Sequence, residues 1–195
     1  MADSSDDAFS SARLRFRNLA TEDALAPDSG YVLWMNDPDV VKHLGVSSVA
    51  SATRKLVTPE DCVAYIRQNL CEGHKLFVME LGGRHMGNFR VFDIDTRAPR
   101  PRASLSLMIG EKALWRQGLG SEAIRAVILR FHQSLGILDW YLAAHADNPA
   151  CALYSQLGFA RISSFGGRIL FFHLAVDSDS CLQCGDMASS SPAVC

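Results

Sequence analysis

Trp115-Arg116-Gln117-Gly118-Leu119-Gly120-Ser121-Glu122-Ala123 lies between an apolar stretch, residues 103–109, and a segment of helical periodicity. Two glycines flanking one residue at a helix start leave backbone N–H groups uncovered. The first turn adds unpaired donors and the positive end of the helix dipole. Such an arrangement holds a pyrophosphate without a lysine. Beyond it, Ala123, Val127, Ile128 and Phe131 recur at i, i+4, i+5 and i+8, an apolar stripe that ends at Gly136.

Working outward, residues 137–144 carry few polar groups, as a strand buried on both faces does. Asp147-Asn148-Pro149 opens a short helix that Gly158 caps, and residues 159–164 and 168–176 form a hairpin around Gly166-Gly167. Upstream, residues 76–81 and 86–94 are strands joined at Gly82-Gly83. Thr58-Pro59-Glu60-Asp61 starts a helix with a cap, a proline at the first position and early acids. Residues 13–19 alternate as a half-buried strand does. Thr21 opens a helical stretch toward Trp34, divided by Pro27 and Gly30, and Asn36-Asp37-Pro38-Asp39 caps a short helix over residues 40–44. The order β, α, α, β, β, β, α, β, α, β, β implies a mixed sheet flanked by helices.

Composition narrows the function. The 195 residues are 48% hydrophobic with a net charge of −2, which gives no footprint for nucleic acid. No apolar run approaches the roughly 20 residues of a membrane span, and the acidic, polar start is not a secretory signal, so a cytoplasmic protein is expected. Residues 1–11 read as a disordered tail, 12–176 as one domain and 177–195 as a flexible tail. Cys181 and Cys184 form a C-x-x-C near Cys195, yet three tail thiols do not complete a four-ligand zinc site, and no metal is expected.

Three features together resemble the GNAT superfamily of acyl-CoA-dependent N-acetyltransferases. The stretch 115–120 looks like its pyrophosphate loop, Asn148 with Leu153-Tyr154 and Leu157-Gly158-Phe159 looks like its C-terminal motif, and the element order over residues 13–176 matches its fold. Leu14-Arg15-Phe16-Arg17 and Trp34-Met35-Asn36-Asp37-Pro38 are similar to the branch that acetylates ribosomal-protein alanines and nucleotide-sugar amines. Two departures stand out: Trp115 sits where the wider family has Gln or Arg, and the interval from Asn148 to Tyr154 is one residue short.

The resemblance implies an α+β domain with a mixed, mostly antiparallel sheet of six to seven strands, about four flanking helices, and a splay between strands 4 and 5 (residues 103–109 and 137–144). It implies acetyl-CoA as co-substrate, without a metal, and a primary amine as acceptor. Leu107, Met108 and Ile109 would pair with the pantetheine arm. Arg116, Gln117, Gly118, Leu119, Gly120 and Ser121 would hold the pyrophosphate, and Asn148 would belong to the cofactor site. Tyr154 is the candidate general acid, since a phenol of pKa ~10 is protonated at neutral pH. Glu80, Asp93, Asp95, Ser106 and His145 are conceivable bases, none assigned. Trp34, Asn36 and Asp37 either line the acceptor pocket or serve the core and a helix cap.

A small amine such as an amino sugar is the favoured acceptor. A protein N-terminus and a non-catalytic acyl-CoA sensor are the alternatives. Monomer or homodimer is expected, with neither nucleic acid nor membrane as partner. A dinucleotide enzyme fits less well, because the glycines sit late in the chain and Asp139 falls at the start of its strand rather than its end.

Overall fold

The structure, a computed structural model, describes residues 8–26, 29–44 and 56–177. Its elements run β1 (Phe9–Ser10), β2 (Leu14–Asn18), α1 (Glu22–Leu25), α2 (Gly30–Met35), α3 (Pro38–Val41), α4 (Pro59–Cys71), β3 (Lys75–Leu81), β4 (Arg84–Asp95), β5 (Arg102–Ile109), a 3₁₀ turn (Lys112–Leu114), α5 (Leu119–Leu135), β6 (Asp139–His145), α6 (Ala150–Gln156), β7 (Ala160–Phe165) and β8 (Ile169–Ala175). The strands form one sheet in the order β1-β2-β3-β4-β5-β6-β8-β7, parallel at β5–β6 and antiparallel elsewhere.

Strand alternation sorts the core into two layers. Phe77, Met79, Phe89 and Val91 join Ala123, Ile124, Val127 and Phe131 of α5 on one face. Leu76, Val78 and Met108 join Tyr31, Trp34, Cys62 and Ile66 of α2 and α4 on the other. The expected stripe of α5 is thus buried throughout. Thr58 and Asp61 close a capping box at the start of α4, and Gly136, at φ 66°, ends α5.

Three expectations need correction. The sheet has eight strands among the described residues, not six to seven, because Phe9 and Ser10 pair with Phe16 and Arg15. That strand lies inside the stretch read as a disordered tail, held by the Phe9 ring stacked on Phe16 at 4.5 Å. The described α-helices number six rather than about four. Ala26, which precedes Pro27, is extended at ψ 135° and separates α1 from α2. The third helix begins at Pro38 under an Asp37 cap, earlier than expected. Residues 178–195, with Cys181, Cys184 and Cys195, lie outside the described residues.

Trp34 locks the helical layer to the sheet. Its ring lies directly over Gly110, at the end of β5, where an added Cβ would fall inside the indole. It also meets the His85 ring edge-on at 4.9 Å. Gly110→Ala is therefore expected to lower the unfolding free energy by about 2–3 kcal/mol, measured by urea denaturation. An unchanged midpoint would show that this contact does not fix α2 to the sheet.

Candidate functional site

The site begins where two strands part. β5 and β6 pair only at Arg102 with Asp139, Ala103 with Trp140 and Ser104 with Tyr141. β5 nevertheless stays on β4 as far as Ile109, and β6 stays on β8 as far as His145. Beyond Ser104 and Tyr141 the inner edges are therefore unpaired. Along a strand, the hydrogen-bonding direction alternates. Gly110 N–H donates to Met86 O at 3.0 Å, so Met108, two residues back, also faces β4. Pro101 O accepts from Leu138 and Asp139 N–H on the β6 side, so Leu105, Leu107 and Ile109 face the gap. On β6, Val176 N–H donates to Leu138 O and Ala146 N–H to Arg168 O. The even residues thus face β8, and Ala143 and His145 face the gap.

This divides the three residues expected to meet the pantetheine arm. Leu107 presents both backbone groups to the gap. Ile109 does so with its carbonyl already accepting from the Trp115 indole Nε1 at 2.7 Å. Met108 turns its backbone to Asn88 on β4 and buries its side chain against the helical layer.

Beside this gap, the loop before α5 turns through two left-handed residues, Arg116 at φ 62° and Gly118 at φ 77°. Gly118 is the N-cap, a conformation that a Cβ makes costly. None of the amides of Arg116, Gln117, Gly118, Leu119, Gly120 and Ser121 donates a hydrogen bond among the described residues. Gly120 serves differently from Gly118: it is buried, and a Cβ there would press on Leu153 at 3.2 Å and approach Leu107 at 3.7 Å. It lets α5 sit against β5 and α6. The Leu119 side chain is in the core, so only its N–H faces outward.

Arg13 clamps the loop. Its Nη1 donates to Gln117 O at 3.2 Å, and its Nε and backbone N–H donate to Glu122 at 2.6 and 2.7 Å. Ser11 Oγ adds a bond to the same carboxylate at 2.6 Å. Burial raises the Glu122 pKa, but these bonds outweigh it and hold the carboxyl below its ordinary value.

On the α1–α4 face, the parting opens into a cavity of about 490 Å³. Leu105, Leu107, Met108, Ala143, Phe165 and Phe171 supply much of an apolar wall, into which Asn88, Arg90, Ser106, His43 and His145 also reach. Tyr154 approaches from the opposite face, packed on Phe159 and Phe172. Its hydroxyl forms no hydrogen bond among the described residues. Burial, with a smaller effect of Cys151, pushes the phenol up to about 12.

Trp34, Asn36 and Asp37 do not line this cavity. Trp34 packs on glycines, Asn36 ties Val32 and Val57 by side-chain bonds of 2.8–3.0 Å, and Asp37 caps α3 and pairs with Lys112 at 2.7 Å. Tyr31 and Met35 of the same helix line it instead. Asn148 Oδ1 accepts from Ala150 N–H at 2.9 Å, at the start of α6. Among the conceivable bases, only Ser106 and His145 reach the cavity. Glu80 is paired with Arg15 and Arg17, Asp95 binds Arg102 and the local backbone, and Asp93 borders a separate hollow.

With this geometry in place, comparison with known proteins fixes the class. The model of the acetyltransferase (GNAT) domain matches residues 13–160, and the chain belongs to the GNAT acetyltransferase family. No curated protein matches the sequence. Among solved structures, the chain is similar to RimL, a ribosomal L7/L12 alpha-N-protein acetyltransferase in complex with coenzyme A. That match has 13% identity and TM-score 0.71, covering 89% of this chain and 100% of that one. It is also similar to a GNAT acetyltransferase from Bacillus anthracis at 16% identity and TM-score 0.67, covering 86% and 98%. A third is the microcin C7 self-immunity acetyltransferase MccE in complex with acetyl-CoA and AMP, at 16% and TM-score 0.65, covering 85% and 93%. At these identities the likeness is one of fold.

Among the described residues no cluster of His, Cys, Asp and Glu could hold a metal, and no helix is long and apolar enough to cross a membrane.

Sequence reading missed Arg13, Tyr31, His43, Asn88 and Arg90. The last two carried a signal, polar residues at i and i+2 on one face of an otherwise buried strand. The Arg13–Glu122 clamp has a pH signature. A depressed folded pKa gives stability that is complete above the unfolded carboxyl range and lost as pH falls through the folded value. With Arg13 47% exposed, Glu122→Gln should cost about 1 kcal/mol near neutrality, and the difference should close in acid, below the ordinary carboxyl range, as the carboxyl protonates. Urea unfolding at both pH values measures this, and a gap unchanged by acid would contradict the clamp.

Proposed function

We propose that the chain is an acetyl-CoA-dependent N-acetyltransferase acting on the primary amine of a small molecule. The observation that carries this reading is the unpaired backbone of Leu107 and Ala143, which lines a gap opening directly on an apolar cavity. The same gap lies beside a helix start with unused amides. Acetyl-CoA, when bound, supplies an acyl group activated as a thioester.

The chain's own residues do the rest. Amides of Arg116, Gln117, Gly118, Leu119, Gly120 and Ser121 receive the pyrophosphate, with the Arg13 guanidinium adding positive charge. Leu107 and Ala143 take the pantetheine arm between them as each would take a neighbouring strand. Holding the thioester beside the cavity supplies much of the acceleration through proximity. A Leu107 or Ala143 N–H aimed at the carbonyl oxygen stabilises the charge that develops there.

The amine nitrogen forms the new C–N bond as the C–S bond breaks. The proton lost by the amine leaves through His43 or His145, imidazoles that line the cavity. Tyr154 Oη, protonated at neutral pH, gives its proton to the departing sulfur.

The lining bears on the acceptor. An amino sugar would draw its hydroxyl partners from the polar side chains set in a mostly apolar wall, among them Asn88, Arg90, Ser106 and His145. A protein N-terminus, the substrate named for RimL, is the alternative acceptor.

Thiol release from acetyl-CoA with a panel of amines tests the activity, and coenzyme A binding without turnover of any amine would favour a sensor. Tyr154→Phe is expected to lower kcat about 10²-fold with coenzyme A affinity nearly unchanged; full activity would remove Tyr154 from the proton transfer. Gly118→Asp, which adds a side chain and a negative charge to the loop, is expected to weaken coenzyme A binding at least tenfold in calorimetric titration. Normal affinity would overturn the loop assignment.

A further inference from the structure

Arg90 differs from five other arginines on or beside the sheet. Arg13, Arg15, Arg17, Arg100 and Arg102 each reach a carboxylate. Arg90 has no carboxylate partner among the described residues. Its Nη1 donates to two neutral groups of α4, Tyr65 Oη at 3.2 Å and Asn69 Oδ1 at 3.0 Å. Its guanidinium stacks 4.1 Å over the Phe92 ring, and its Nε is buried without a partner.

Asn88, two residues earlier on the same face of β4, repeats the pattern. Its Oδ1 bonds His85 Nε2 at 2.8 Å, and its Nδ2 is buried and unpartnered. Both residues line the cavity, directly across β4–β5 from Ser106 and Met108. Asp147, which comes within 3.6 Å of His43, is 71% exposed and is not part of the lining. Among the described residues, a cation without a counter-charge and two donors without acceptors in a mostly apolar wall suit an anion.

Building on the acetyltransferase reading, we infer that the acceptor is an apolar amine that also carries a carboxylate, and that Arg90 and Asn88 receive that carboxylate. Two oxygens with about four lone-pair sites match the available donors, and the aromatic and aliphatic walls match an apolar body. An aromatic amino acid is one molecule of this class. Polyamines and uncharged amines lack the group that the wall is built to meet.

L-phenylalanine and phenethylamine, which differ only in the carboxylate, test this with the full-length protein and acetyl-CoA. The inference predicts at least a tenfold higher kcat/KM for phenylalanine, carried mainly by KM. Arg90→Gln should narrow that preference to within about twofold, and Arg90→Lys, which keeps the charge, should retain part of it. Equal use of the two amines by the unaltered protein would overturn the inference.

Calorimetric binding of 3-phenylpropanoate, which has no amine, to the coenzyme A-loaded protein separates this from the activity itself. Binding that Arg90→Gln weakens about tenfold or more, with no amine turned over, would sustain the carboxylate receptor and sink the acetyltransferase reading. Turnover of phenethylamine with no binding of 3-phenylpropanoate would do the reverse.

Discussion

The parting of β5 from β6 is the constraint on which the rest depends. Each strand keeps a full partner on its outer side, β4 for one and β8 for the other, so the sheet tolerates the loss of their mutual ladder. The cost falls on a few inward-facing amides and carbonyls, principally those of Leu107 and Ala143. Buried backbone groups left without partners are rare and expensive, so water or a ligand must complete them. An extended arm that carries its own amides fits that requirement by the same geometry as a strand.

Everything around the gap holds it open and gives it polarity. Trp34, seated on Gly110, ties the helical layer to the end of β5. Gly120 lets α5 approach closely enough to place its first turn beside Leu107. The Arg13–Glu122 clamp fastens the loop to the first strands and leaves a guanidinium beside the unused amides. Pocket, helix start and clamp are therefore one construction, drawn from segments more than a hundred residues apart in sequence.

Local chemistry carried much of this in the sequence. The Thr58–Asp61 capping box, the glycine pairs of the two hairpins, the stripe on α5 and the Gly-x-Gly at its start all act within a few residues, and each appears where the pattern places it. What depends on distant neighbours was not legible. Asn36 looks like a substrate ligand until Val57 is seen to hold both ends of its amide, and the bond from Ala150 N–H to the Asn148 oxygen at the start of α6 is equally silent in the sequence. The backbone of Met108 is excluded from the gap by the phase of the β4–β5 ladder, which no residue type announces. Phe9 and Ser10 gain a strand only because β2 leaves an open edge.

Amide hydrogen exchange with and without acetyl-CoA tests the central claim most directly, because the ladder's phase makes it residue-specific. Protection should rise at Leu107 and Ala143 N–H and across residues 116–121. Met108 N–H, already bonded to β4, should change little. Protection that rises equally at Met108 and Leu107, or that leaves both Leu107 and Ala143 unaffected while the ligand binds, would contradict the account.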